Sequence, residues 1–233
     1  MKAFNKTSLA LVAFLALLAG AACAAPHPFG PGEKLTYALK VTGVKAGEFE
    51  MTLHENPSAG LPKAFLIEAH LYTTAPFKWM YPVEDRAQTV MSWEGLKPLS
   101  FKLSVLEGGH KKRQSADFTK TKVSAGTHDF LSLLYALRAA PLAVGYVAKV
   151  KVWSDKKVID LPLRVHALKA MKSGVGKREC FLLSPINQMM IKDHPVEIEM
   201  AISNDTERLP VSLSAKASIA TISAVLKEAV KGR

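Results

Sequence analysis

Only two cysteines, Cys23 and Cys180, occur in the 233 residues, which excludes a disulfide-stapled scaffold. Acidic residues are also scarce, 20 against 31 lysines and arginines, so the formal charge is +11. Two of those charges, Lys2 and Lys6, stand at the very start. The lysines are otherwise spread along the chain, as solubility requires, although such an excess also suits anionic headgroups or acidic polymers. The seven histidines, at 27, 54, 70, 110, 128, 166 and 194, never fall at HxH, HxxxH or HExxH spacing, so no metal site is expected. There is no G-x-S-x-G elbow, and Gly174-Val175-Gly176-Lys177 lacks the length and the hydroxyl residue of a phosphate loop. Long apolar runs are missing too. The stretch Leu9–Leu18 is too short to span a bilayer, and no later segment approaches a span.

What is present begins with a leader. Lys2 and Lys6, the apolar run, and the small residues Gly20–Ala25 have the composition of a secretory signal peptide over residues 1–24. Residues 25–233 are then expected to form a single β-rich domain in the periplasm. Ala22-Cys23-Ala24 offers a cleavage site, and the alternative is lipid anchoring through Cys23, although a large aliphatic residue is missing before it. Removal of the leader leaves Cys180 alone. The neighbouring Phe181-Leu182-Leu183 predicts burial for that thiol, while Lys177-Arg178 leaves an electropositive setting open.

Period-two alternation dominates the remainder. Leu35, Tyr37, Leu39 and Val41 share one strand face, and Phe49, Met51 and Leu53 resume the pattern after a turn assigned to Gly43–Gly47. Comparable runs follow to the end of the chain, where the last one could fray into a helix towards Glu228. Pro162, inside the run Val158–Val165, predicts an edge or a bulge. One segment breaks the rule. His128–Gly145 reads as an amphipathic helix over about 129–140, with Asp129 as N-cap, Phe130, Leu131, Leu134 and Leu137 on one face, and Arg138 near the C-terminal end. Pro141 stops it and Gly145 releases the chain. The fold expected is mainly β, a strongly curved antiparallel sheet or partly open β-barrel with this one central helix as plug or lid.

Three ordered motifs carry a family resemblance. They are Phe29-Gly30-Pro31-Gly32-Glu33-Lys34-Leu35-Thr36-Tyr37 with Gly43 and Ala46-Gly47; Asp129, Leu131, Ser132, Tyr135, Arg138, Pro141, Leu142 and Gly145; and Ser203-Asn204-Asp205 with Arg208-Leu209-Pro210-Val211. The set is similar to a bacterial envelope family catalogued as domain of unknown function 3108 (DUF3108). An aromatic residue usual before the third motif is replaced by Met200-Ala201-Ile202. The resemblance implies an exported β-rich protein and no catalytic residues. Asp129, Ser132, Tyr135, Arg138, Pro141, Gly145, Asp205, Arg208 and Pro210 form its structural signature, with a cross-element Asp–Arg pair one way of holding the helix to the sheet.

Two features could carry function. His128-Asp129 has the residue types of an acid–base pair, but Asp129 is needed as a cap and neighbours entering a helix point apart. The loop Phe77-Lys78-Trp79-Met80-Tyr81-Pro82 holds Phe77, Trp79, Met80 and Tyr81 in a proline-bounded connection. These either close one end of the core or form an apolar rim for a ligand or partner. No aromatics are interleaved with Lys111-Lys112-Arg113, so nucleic acid is not an expected partner. The reading is a non-enzymatic periplasmic envelope protein without cofactors, binding or carrying a hydrophobic or lipidic ligand. Its alternative is an envelope interaction module with a filled core and a protein partner, and less favoured still is an envelope hydrolase. Oligomeric state stays open.

Overall fold

The computed structural model describes residues 27–56, 63–121, 123–191 and 194–232. The expected leader, with Cys23, lies outside the described residues.

Among the described residues a 14-stranded sheet organises the fold. Its first half is a meander of β1 (Lys34–Val41), β2 (Val44–Asn56), β3 (Ala64–Thr73), β4 (Glu84–Ser92), β5 (Pro98–Glu107) and β6 (His110–Asp117). A four-residue helix, α1 (Phe77–Met80), lies between β3 and β4. The two-residue β7 (Thr127–His128) and α2 (Phe130–Ala139) follow. The second half comprises β8 (Val147–Ser154), β9 (Lys157–Ser173), β10 (Gly176–Pro185), β11 (Met189–Ile191), β12 (His194–Ser203), β13 (Pro210–Ala217) and β14 (Thr221–Val230). The spatial order is β6-β5-β4-β3-β2-β1-β14-β13-β12-β10-β9-β8-β7, with β11 on the side of β12. The first and last strands therefore join the halves. Every pairing is antiparallel except β7 with β8.

Curvature brings the two edges of this sheet towards each other. Phe101 of β5 and Phe118 after β6 meet the Trp153 ring of β8 edge-on, with centroids 5.8 and 5.9 Å away. Lys112 and Gln114 of β6 both donate to the Asp155 carboxylate in the β8–β9 turn. The result is a strongly curved, barrel-like sheet whose concave side faces α2.

That helix explains how the interior is filled. Leu131, Leu134 and Tyr135 join a cluster that draws on both halves of the sheet, including Leu35, Met51, Phe65, Leu182 and Leu226. Leu133 and Leu137 join a second cluster with Leu163, Val165, Phe181 and Ile202. A helix that packs on both sides is buried almost all round, not along one stripe. Phe130, expected on the inner face, is instead 45% exposed, while Leu133, Tyr135 and Arg138 are buried. Each large apolar side chain taken from water is worth roughly 1.5–3 kcal/mol, so the helix is held by packing more than by propensity.

Several local assignments shift. The β1–β2 turn is the two-residue Thr42-Gly43, with φ of 48° and 84°, the left-handed geometry that hairpin twist favours. Gly47 lies inside β2, where a Cβ would fall 2.1 Å from the Tyr72 carbonyl oxygen of β3. The β9 strand runs eight residues beyond Val165, and β14 continues to Val230 without helical fraying because its pairing with β1 persists to Lys34. Pro162 sits where β9 passes the end of β10, and its carbonyl accepts from the Ile186 amide. Its missing N–H therefore faces the side on which the ladder is ending.

Candidate functional site

The signature residues converge at one end of the barrel. Glu33 stands just before β1 with 4% exposure, and Arg138 is in the last turn of α2 with its side chain fully buried. Arg138 Nη1 donates to Glu33 Oε1 at 2.6 Å and Nη2 to Oε2 at 2.7 Å, a two-pronged pair. Arg138 Nε donates to the Arg208 carbonyl at 3.0 Å and Nη2 to that of Glu207 at 3.2 Å. Tyr135 donates its hydroxyl to Glu33 Oε1 at 3.0 Å. The guanidinium lies between the rings of Phe29 and Tyr135, 4.9 and 5.0 Å from their centroids.

One ion pair thus ties together all three motifs of the resemblance. It also corrects the expected Asp–Arg pairing, since Arg138 takes Glu33 and neither Asp129 nor Asp205. Burial works against the charge on Arg138, but the hydrogen bonds and charge of Glu33 outweigh it and hold the pKa above its ordinary value. Burial, reinforced by Glu33, pushes the Tyr135 phenol well above its ordinary range, and burial does the same to Tyr37. Among the described residues the buried Tyr37 hydroxyl has no hydrogen-bond partner.

Asp129 has a different task. Its Oδ1 accepts from the amides of Leu131 and Ser132 at 2.9 and 3.1 Å and from the Thr89 hydroxyl of β4 at 2.7 Å. Ser132 returns the bond, its Oγ accepting from the Asp129 amide at 3.1 Å, which completes a capping box. Burial raises the Asp129 pKa despite these donors. Its other oxygen, Oδ2, accepts from the Ser132 hydroxyl at 2.8 Å, so the carboxylate serves the cap, and burial lowers the pKa of the neighbouring His128. Pro141 follows the extended Ala140 at the C-cap, and Gly145 has a φ of 90°.

Asp205 pairs with Arg178 of β10 at 2.6 Å, and Glu207 takes the same nitrogen at 2.8 Å. Burial opposes the charge on Asp205, yet the Ser203 hydroxyl and Arg178 hold its pKa below the usual value. Arg208 lays its guanidinium over the Phe181 ring at 5.1 Å, and Pro210 opens β13 opposite Ile202. Glu33, Thr89, Arg178 and Glu207 were not singled out from the sequence. The one signal for Glu33 was a lone acid inside the first motif.

The aromatic loop lies at the opposite end. It forms α1 and the residues after it, and Trp79 is 82% exposed, with Met80 and Tyr81 also exposed and Phe77 half-buried. Tyr81 lies against Gly108 in the β5–β6 turn, so closely that a Cβ at Gly108 would fall 2.5 Å from the ring. Among the described residues no group of three His, Cys, Asp or Glu could hold a metal ion. Cys180 is buried, and burial pushes its thiol up to about 11. A groove of about 710 Å³ runs over the polar outer face of β2–β6 past Glu68, His70, Arg86 and Lys102.

These features define a barrel-like curved sheet whose interior is occupied by its own helix and a buried ion pair. Residues 36–227 match the model of the family described as "Protein of unknown function (DUF3108)", and the chain belongs to that family. Among solved structures it is similar to a beta-barrel-like protein of domain of unknown function DUF1849 from Brucella abortus. That likeness has a TM-score of 0.57 at 8% identity, over 88% of this chain and 99% of the other, and concerns the fold alone. Weaker likenesses, both with a TM-score of 0.37, are to a hypothetical protein from Chlamydia trachomatis and a candidate exported protein with a YmcC-like fold from Bacteroides fragilis. The first is 12% identical over 86% of this chain and 87% of the other, the second 10% over 88% and 98%. No curated protein matches.

Proposed function

We propose that this protein is a non-enzymatic, exported component of the cell envelope that works through contacts on its outside, its interior serving only to hold the sheet in shape. The observation that carries this reading is the filled concavity. A carrier needs apolar space inside the sheet, and here α2, its two apolar clusters and the Glu33–Arg138 pair occupy that place. Export is supported by the leader-like composition of residues 1–24. Carriage of a hydrophobic or lipidic ligand, the first expectation from sequence, is the alternative, and it would require α2 to yield that space.

Native mass spectrometry of the protein purified gently from its own periplasm, with lipid extraction alongside, tests this. The expected spectrum shows the bare polypeptide mass without detergent. A stoichiometric apolar adduct would overturn the proposal and restore carriage.

A further inference from the structure

The strand register gathers exposed apolar side chains at one end of the barrel. Antiparallel pairing places the β1–β2, β3–β4, β5–β6, β8–β9 and β13–β14 turns and the β10–β12 connection together, at the end opposite the signature residues. Neighbouring turns are tied to one another. The Thr74 amide donates to the Ala46 carbonyl, that of Gly108 to Pro82, and that of Thr42 to Thr221. The segments at this end carry Val44, Trp79, Met80, Tyr81, Met190 and Ile219 in the open, Ile219 being 93% exposed. Strand alternation has no need of these residues, because none of them fills the core.

Cations accompany them. Lys78, Lys111, Lys156 and Lys157 are exposed at the same end, and among the described residues none makes a direct ion pair. The nearby carboxylates of Glu84 and Asp155 are already answered by Arg86 and Lys112.

We propose that this end of the barrel docks onto the anionic surface of a lipid bilayer, its apolar turn tips entering the headgroup layer and its unpaired lysines meeting lipid phosphates. The proposal rests on the outward-acting reading above. Three properties select a membrane over other occupants. The apolar groups sit on separate convex turns, which a deformable lipid layer accepts and a single peptide or helix does not. Trp79 and Tyr81 are the residue types that favour the membrane–water boundary, where ring and polar edge are both satisfied. The fully exposed charge left unpaired is positive, the acids Asp85 and Glu107 being half-buried beside one another, so a second copy presenting the same face is repelled whereas an anionic surface is attracted.

The test is co-sedimentation of the purified exported form with phosphatidylcholine vesicles, with and without phosphatidylglycerol. Binding is expected only to the anionic vesicles and should weaken as salt rises, since surface charges are screened. Trp153 is buried and Trp93 half-buried, so Trp79 should dominate a blue shift of the emission on binding. Trp79→Phe should lose most of that shift and keep binding. Trp79→Ser with Ile219→Ser should lower partitioning roughly tenfold or more with an unchanged melting temperature. Absence of binding to either vesicle overturns the lipid proposal. If a photo-crosslinker at position 79 then captures an envelope protein, or if a dimer forms that the double variant abolishes, the outward-acting reading stands and only the occupant was wrong. A stoichiometric lipid in the native mass spectrum would instead overturn the reading beneath it.

Discussion

Arg138 and Glu33, 105 residues apart in the chain, meet through two hydrogen bonds of 2.6 and 2.7 Å inside the barrel. The pair joins the last turn of the only long helix described to the start of the first strand, and the same guanidinium holds the carbonyls of Glu207 and Arg208 before β13. Helix, first strand and penultimate strand are therefore locked at one point.

A buried pair is costly to break from one side, because the abandoned charge has no water to turn to. Arg138→Ala should destabilise the protein by about 3–5 kcal/mol, which at this chain length lowers the melting temperature by roughly 10 °C. Glu33→Leu combined with Arg138→Met should recover much of that loss, since the two charges leave together. Thermal denaturation of the two variants beside the unaltered protein checks this. Equal losses in the single and double variants would show that the packing of the arginine stem, not its charge, matters.

The N-terminal cap of α2 separates hydrogen bonding from charge. Asp129→Ala removes acceptors from two amides and from the Thr89 hydroxyl. It should cost about 2 kcal/mol, the upper part of the range for caps. Asp129→Asn keeps the Oδ1 acceptor and removes a carboxylate whose pKa burial has raised. It should be far milder at neutral pH, and urea titrations of the two variants side by side decide the matter.

Asp85 gives a pH dependence. Burial, helped by neighbouring Glu107 and opposed by the Leu106 amide, raises its pKa to about 6 from 3.8. A carboxyl with a raised folded pKa binds its proton more tightly when folded. Its stabilising contribution is therefore complete below the unfolded value and is lost as pH climbs through about 6. Asp85→Asn should flatten this part of the stability curve and raise the melting temperature slightly at pH 7, with little change at pH 4. A curve unchanged by the substitution would place the titration elsewhere.

Gly47 tests the approach of β2 to β3. Its Cβ position lies 2.1 Å from a backbone oxygen, which cannot swing away as a side chain would. Gly47→Ala should cost about 2 kcal/mol or more through overpacking, whereas Gly43→Asn, in an open left-handed turn, should be close to neutral. Melting temperatures of the two variants suffice.

Local chemistry was legible in the sequence, and long-range partnership was not. Alternation in Leu35, Tyr37, Met51 and Leu53 announces strands with one buried face, and Asp129 with Pro141 brackets the helix to within a residue. Periodicity cannot say that Phe130 points outward and Leu133 inward, because that depends on sheet wrapping both sides of α2. Nor could it pair Arg138 with Glu33, since several acids are compatible and only closure of the curved sheet selects one. β7 and β11, two and three residues long, are too short to show a period. Trp79 is the instructive case. Four large apolar residues in one loop were visible, but only the register of the neighbouring turns decides that most of them face outward.

Hydrogen exchange of the α2 amides, followed by NMR or mass spectrometry, bears most directly on the claim that the interior is permanently filled. Because α2 is buried on both sides and tied to β1 by the ion pair, the amides of Leu134 to Arg138 should exchange only through global unfolding, and Arg138→Ala should speed them in proportion to its loss of stability. If those amides exchange far faster than the rest of the core in the unaltered protein, α2 opens as a lid. The interior would then be accessible space, and the account of a permanently filled barrel would be wrong.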